Sequence, residues 1–156
     1  MPPRSADAAA VAVDEPATTQ PYILEEQIGH LLRRAHQRAT AIFLDGIGPE
    51  PLTPTQWAAL VKVGDIGEVS QNRLGRLTAM DPATCQGVIA RLHGQGLLER
   101  RADPADKRRT LWRLTARGGA VVAAGVAYGR AVTERTLAPL DAGEQAVFLA
   151  LLKKLI

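Results

Sequence analysis

Residues 70–115 read SQNRLGRLTAMDPATCQGVIARLHGQGLLERRADPADKRRTLWRLT, and their order decides the fold. Ser70 is an N-cap residue type ahead of a short helix that would bury Leu74 and Leu77. Asp81 followed by Pro82 opens a second helix running to about residue 93, with proline at the first helical position. At 100° per residue Cys85, Val88, Ile89 and Leu92 share one arc. Ala83, Gly87, Ala90 and Gly94 fall on the opposite arc, flanked by Thr84, Gln86 and Arg91. An outer helix face so bare of bulk is unusual, because glycine costs roughly 1 kcal/mol against alanine in a helix. It suits a helix that must approach another surface closely, such as the floor of a DNA major groove. Beyond Gly94 and Gly96, residues 97–101 and 110–114 read as two strands, with Thr110, Trp112 and Leu114 on one face. The connection between them holds Pro104 and the cluster Lys107, Arg108 and Arg109. Helix, turn, helix and basic ribbon make a winged helix-turn-helix, in a fold that is mainly α with a small β-wing.

Working outward, Thr53-Pro54-Thr55-Gln56 is a capping box that starts a helix with Trp57, Leu60, Val61 and Val63 on its buried side. Gly64 is expected to stop it, and a short extended link over 67–69 leads to Ser70. Ahead of this, Leu24, Ile28, Leu31, Leu32, Ala35, Ala39 and Ile42 recur at helical spacing over 23–45. Gly46, Gly48 and Pro49 end that helix, and its other side carries His30, Arg33, Arg34, His36 and Arg38. On the C-terminal side Thr115 caps a long helix over 116–137, and a second capping box, Asp141 with Glu144, begins a last helix over 142–156. Residues 1–20, rich in Ala, Pro and Thr, are expected to be a disordered tail. The remainder, 21–156, reads as one domain: the winged unit over about 53–115, and dimerisation helices over about 22–45 and 116–156. Those flanking helices carry more apolar surface than one copy of the chain would cover.

Composition supports this reading. Only 4% of the 156 residues are aromatic, so the core rests on Ala, Val, Leu and Ile, which suits helices. The net charge is +3, and residues 70–113 alone hold nine Arg or Lys against four acids. The positive surplus is therefore concentrated in the proposed reading unit, as expected of a nucleic-acid-binding face. One cysteine, Cys85, excludes an intramolecular disulfide, and the first twenty residues lack a signal-peptide pattern. A cytoplasmic protein without a membrane span is expected. Nothing in the sequence suggests an enzyme: the only serines are Ser5 and Ser70, and His30, His36 and His93 show no zinc-site spacing with the single cysteine. No catalytic residues, metal or cofactor are expected.

These residues resemble the MarR family of bacterial transcription regulators. Asp106, Arg108, Leu114 and Thr115 fit that family's Asp-x-Arg pattern followed by Leu-Thr. The preceding MDPATCQGVIARLHGQGLLERR matches its recognition helix and first wing strand, and the resemblance spans about residues 22–156. It implies a homodimer in which the terminal helices pair and two winged units read a pseudo-palindromic double-stranded DNA operator, most commonly as a repressor. Recognition helices would enter successive major grooves. Thr84, Gln86 and Arg91 are the expected contacts to bases or neighbouring phosphates, since Gln can pair bidentately with adenine. Ser70, Gln71 and Arg73 are candidate phosphate contacts, and Lys107, Arg108 and Arg109 would supply the wing's cations, with Asp106 orienting Arg108.

The resemblance also implies a small-molecule pocket between the dimerisation helices and the winged unit, for an aromatic carboxylate, a phenolic compound or a thioester. His30, Arg34 and Arg38, four apart on one helix face, with Trp57 and Tyr128, are the candidate ligand-binding residues. Two other readings stand beside this one. One is a redox-responsive regulator acting through Cys85, although that residue falls on the inward arc, where a thiol behaves as a small hydrophobe. The other is a winged helix used for protein contact without specific DNA binding, which the basic wing argues against.

Overall fold

The computed structural model describes residues 21–46 and 51–156. The expected N-terminal tail, and Gly48 and Pro49 as part of a helix stop, lie outside them. A 3-10 turn, Leu24–Glu26, precedes α1 (Ile28–Asp45). The long helix thus starts later than the apolar periodicity predicts, because Gln27 is extended (ψ 131°) and interrupts the helical ladder. The helix α2 (Pro54–Ile66) begins at the predicted capping box: Thr53 Oγ1 accepts from the Gln56 amide at 3.2 Å, and Gln56 Oε1 from the Thr53 amide at 2.8 Å. Gly64 does not stop it. The helix continues to Ile66 and ends at Gly67, whose φ of +85° is the left-handed conformation that glycine adopts without strain.

The expected link before Ser70 is instead a strand, β1 (Val69–Ser70), leading directly into α3 (Gln71–Leu77). Ser70 occupies the N-cap position, but its side chain makes no capping bond. Its backbone is committed to sheet pairing with Leu111, which fixes the residue as the last of a strand. Leu74 is fully buried as predicted, whereas Leu77 is 46% exposed, because α3 ends there and Leu74 and Gly75 fill the contact with the next helix. That helix, α4 (Pro82–Gly94), is followed by β2 (Leu98–Ala102) and β3 (Thr110–Leu114). The three strands form one antiparallel sheet in the order β1-β3-β2, with Val69 opposite Trp112 and Leu98 opposite Leu114. The wing is thereby anchored at its base to the turn that precedes α3.

Among the described residues twelve buried ones form the core, including Leu60, Leu74, Leu92, Leu97 and Leu98, each at most 1% exposed. They come from α2, α3, α4, β1, β2 and the connections beside them, so this core belongs to the winged unit. Burying side chains of this size contributes roughly 1.5–3 kcal/mol each. Thr115 caps α5 (Ala116–Leu137), its Oγ1 accepting from the Gly118 amide at 3.0 Å. Asp141 and Glu144 form the predicted capping box of α6 (Ala142–Leu152). This last helix is shorter than the sequence suggests, because the Lys154 amide bonds Leu151 O three residues back and tightens the chain out of the α ladder.

α1 and α5 are tied together by polar contacts at their ends. The Tyr128 hydroxyl lies 2.6 Å from Phe43 O and 2.9 Å from Ile42 O, where it donates to the C-terminal carbonyls of α1. Arg38 donates to Arg135 O and Thr136 O at the end of α5, at 3.2 and 3.3 Å. Arg135 pairs with Asp45 at 3.0 Å. By contrast, no residue of α6 is buried.

Candidate nucleic-acid interface

α4 presents the two-faced surface that its sequence predicts. Cys85, Val88, Ile89 and Leu92 are buried, whereas Ala83, Thr84, Gln86, Ala90, Arg91 and Gly94 are exposed. Its start is held by Asp81, whose carboxylate accepts from the Thr84 hydroxyl at 2.5 Å and from the Thr84 amide at 2.9 Å. These bonds, the side-chain one first, hold the Asp81 pKa below its ordinary value. With its proton directed at Asp81, the Thr84 hydroxyl keeps only acceptor capacity toward anything outside. Gln86 and Arg91 are the exposed long polar side chains of this face.

The wing sorts its cations by partner. Glu99 and Arg113 stand opposite each other across β2 and β3 and pair at 2.6 Å. Arg101 pairs with Glu68 at 2.9 Å, joining β2 to the turn ahead of β1. Both arginines are thus engaged in holding the ribbon. At the tip, Asp106 Oδ1 accepts from the Arg108 amide at 3.0 Å and lies 3.5 Å from Arg108 Nε, while the Arg108 side chain is 93% exposed. Asp106 therefore shapes the turn chiefly through the backbone and leaves the guanidinium projecting. Arg109 has a different partner, the carboxylate of Asp103 at 3.7 Å. Among the described residues Arg73, Arg76, Arg91, Arg100 and Lys107 form no ion pair.

Between α3 and the wing lies an open groove of about 710 Å³, lined by Ser70, Gln71, Asn72, Arg76, His93, Arg100, Arg109, Thr110 and Trp112. Three arginines thus line one concavity, and two of them, Arg76 and Arg100, are not singled out by the sequence motifs. Linear spacing conceals them: Arg76 lies in the last turn of α3, Arg100 in β2 and Arg109 just before β3, and only the fold brings them together. His93 closes one side, its Nδ1 2.9 Å from Leu98 O, and its ring packs edge-on to Trp112 at 5.4 Å. Because a carbonyl only accepts, Nδ1 carries the hydrogen.

The residues expected to bind a small molecule are placed variously. Trp57 is half-buried against α5, where a Cβ at Gly125 would come within 2.5 Å of its ring and one at Gly129 within 3.4 Å. Arg38 and Tyr128 make the interhelical bonds already described. His30 Nδ1 lies 3.3 Å from the Arg33 guanidinium, and Arg34 is exposed on the same helix. Cys85 is 1% exposed, its thiol donating to Gln71 O at 3.4 Å. Burial pushes its pKa up, which disfavours the thiolate needed for oxidation chemistry. Among the described residues no cluster of three His, Cys, Asp or Glu could hold a metal, and no helix is long and apolar enough to cross a membrane.

A buried α2–α3–α4 core, a helix with a bare and basic-flanked outer face, and a three-stranded wing with projecting cations together define a winged-helix DNA-binding regulator. Comparison with known proteins identifies its kin. A family model described as the MarR family matches residues 50–109. The chain is 39% identical over 141 residues to the HTH-type transcriptional repressor NicR of Pseudomonas putida, covering 90% of this chain and 89% of that protein. A crystal structure of a probable transcriptional regulator from Pseudomonas aeruginosa is 51% identical, with a TM-score of 0.83 over 86% of this chain and 100% of that one. BpsR of Bordetella bronchiseptica, whose DNA binding is regulated by 6-hydroxynicotinic acid, is 40% identical with a TM-score of 0.82, over 87% of this chain and 97% of that one. The chain belongs to the MarR family of transcription regulators.

Proposed function

We propose that this chain acts as a homodimeric repressor that binds a pseudo-palindromic operator and is released by a small aromatic carboxylate. The observation that carries the DNA-binding half is the outer face of α4, exposed and nearly free of bulk beside a wing whose Arg108 projects 93% exposed. Gln86 and Arg91 would read base edges, with Thr84 contributing its methyl and an acceptor. Ser70, Gln71, Arg73, Lys107, Arg108 and Arg109 would contact the phosphate backbone, with Asp106 shaping the wing tip. Pairing of two copies is supported by the apolar residues left exposed on α6 and around the start of α1, including Phe148, Leu151, Ile28 and Leu31. A domain of this size rarely leaves so many large apolar residues exposed on two helices without a partner.

The ligand reading draws on the likeness to BpsR. A hydroxylated heteroaromatic carboxylate would find an anion partner in Arg34 and His30 toward the start of α1, while Trp57, packed against Gly125 and Gly129 of α5, would offer a flat wall at a separate level of the helix pair, and Arg38 and Tyr128 would act by holding α1 to α5. Such a ligand releases DNA only if it binds the DNA-incompatible spacing of the two heads more tightly. The test is a gel shift of the purified chain on the DNA upstream of its own gene, with and without 6-hydroxynicotinic acid. A specific shift that the acid weakens is expected, together with a raised melting temperature by mass action, about 2.7 kcal/mol at a hundredfold excess over Kd. A folded dimer giving no specific shift at low salt would leave the protein-contact reading in its place. A shift insensitive to aromatic acids would remove the ligand half alone.

A further inference from the structure

We propose that Asp103 is a positioning residue for DNA binding: its buried carboxylate fixes Arg109 at the mouth of the groove faced by Arg76 and Arg100, so that the three guanidiniums receive one backbone phosphate. The inference rests on the DNA-binding reading and extends it to residues that no wing motif contains.

Asp103 is the one charged residue among the buried described residues, 9% exposed in a wing whose other ionisable side chains are open to solvent. A buried carboxylate is costly unless it is paired and hydrogen-bonded. Here Oδ1 accepts from the Ala105 amide at 2.9 Å, closing an Asx turn through Pro104, and Oδ2 lies 3.7 Å from Arg109 Nη1. The Asp103 amide also donates to Arg109 O at 3.0 Å, so the two residues are joined through backbone and side chain at once. The turn by itself does not need a charge, since an asparagine oxygen could accept the same amide hydrogen. What the charge adds is a hold on Arg109, whose side chain is 59% exposed and would otherwise sweep a wide volume.

Held there, Arg109 borders the groove with Arg76 and Arg100, and neither of those has an anionic partner among the described residues. Three like charges converging on one concavity repel one another when it is empty, and an anion relieves that repulsion. The groove is open to solvent and is lined by Ser70, Gln71 and Asn72 as well as by wing residues. It suits a phosphodiester passing between the helical unit and the wing better than an enclosed small molecule.

The sign of the effect makes the test sharp. Removing a carboxylate next to DNA should, by simple Coulomb repulsion, tighten binding; the positioning role demands the reverse. Affinity for the upstream duplex would be measured against salt concentration for the wild type, Asp103→Asn, Arg109→Ala and the double variant. Arg109→Ala is expected to bind about tenfold more weakly, uniformly across DNA sequences, with a salt slope shallower by about one per protomer. Asp103→Asn should lose a comparable factor, and the double variant should be no worse than Arg109→Ala. Arg100→Ala should weaken binding similarly, while leaving the melting temperature unchanged. Unchanged or tighter binding by Asp103→Asn overturns the proposal, as does a loss that persists in full when Arg109 is already alanine, which would mark a purely structural turn. Wild-type protein that binds no DNA would remove the parent reading, and this inference with it.

Discussion

Leu92 in α4 and Phe148 in α6 are both large apolar residues on helices of similar length, yet Leu92 is fully buried and Phe148 is 39% exposed. The difference extends to their whole neighbourhoods. The winged unit closes around its own core, from Leu52 to Leu98, and its exposed residues are chiefly polar or small. The far end leaves Val147, Leu149 and Leu151 on α6 uncovered, along with Tyr22, Ile28 and Leu31 near α1. One region buries its large apolar residues within a single chain, and the other leaves them exposed. A shallow apolar cleft lined by Leu140, Val147, Phe148 and Leu151, with Glu144 at its side, lies on this uncovered helix.

The comparison breaks most directly at α6. Replacing Phe148 and Leu151 together by aspartate should give a monomer in sedimentation equilibrium with the winged unit still folded. Operator affinity should then fall by about 10²–10⁴-fold, because two linked heads gain that much from avidity. A double variant that stays dimeric would place the interface elsewhere. Next in size is the core itself. Leu92→Ala should lower unfolding free energy by about 2–5 kcal/mol, whereas Leu77→Ala, at a position 46% exposed, should stay within about 0.5 kcal/mol. Equal losses in urea titrations would contradict the burial difference between the two leucines.

A smaller effect is expected at the seam. A side chain at Gly125 would collide with the Trp57 ring, so Gly125→Val should destabilise by about 1–3 kcal/mol. A shift in tryptophan emission should accompany it, because Trp57 joins α2 to α5. The smallest effect concerns Asp81. Its pKa is depressed in the folded protein, so its contribution to stability is fully present above the ordinary aspartate value and is lost as pH falls through the depressed one. Asp81→Asn should flatten that acid-limb loss in thermal melts while leaving the melting temperature near neutral pH almost unchanged. An unaltered acid limb would show that the Thr84 bonds do not matter to folding.

Much of the winged unit is legible before any coordinates. The capping box at Thr53, the cap at Asp81, the inward arc of α4 and the bounds of β3 follow from local rules of hydrogen bonding and periodicity, which act within a few residues. The errors within the winged unit share one cause. Gly64 as a stop, Ser70 as a capping side chain, Leu77 as a core residue and the missing strand β1 all turn on contacts with distant segments. A two-residue strand has no periodicity of its own to read; Val69 and Ser70 become a strand because Trp112 and Leu111 lie beside them.

The site divides in the same way. The amino-acid sequence alone determined which face of α4 is bare of bulk and that the wing is basic, because bulk and charge are properties of residue types at fixed helical or strand spacing. Only the tertiary structure decided which cations remain available. Arg101 and Arg113 are engaged by Glu68 and Glu99, Arg38 by the carbonyls of α5, and Arg109 by a buried Asp103 three residues from the Asp106 that the motif highlights. Ion pairing depends on distances of a few ångströms between residues far apart in sequence, and the chain sets those distances only when it folds.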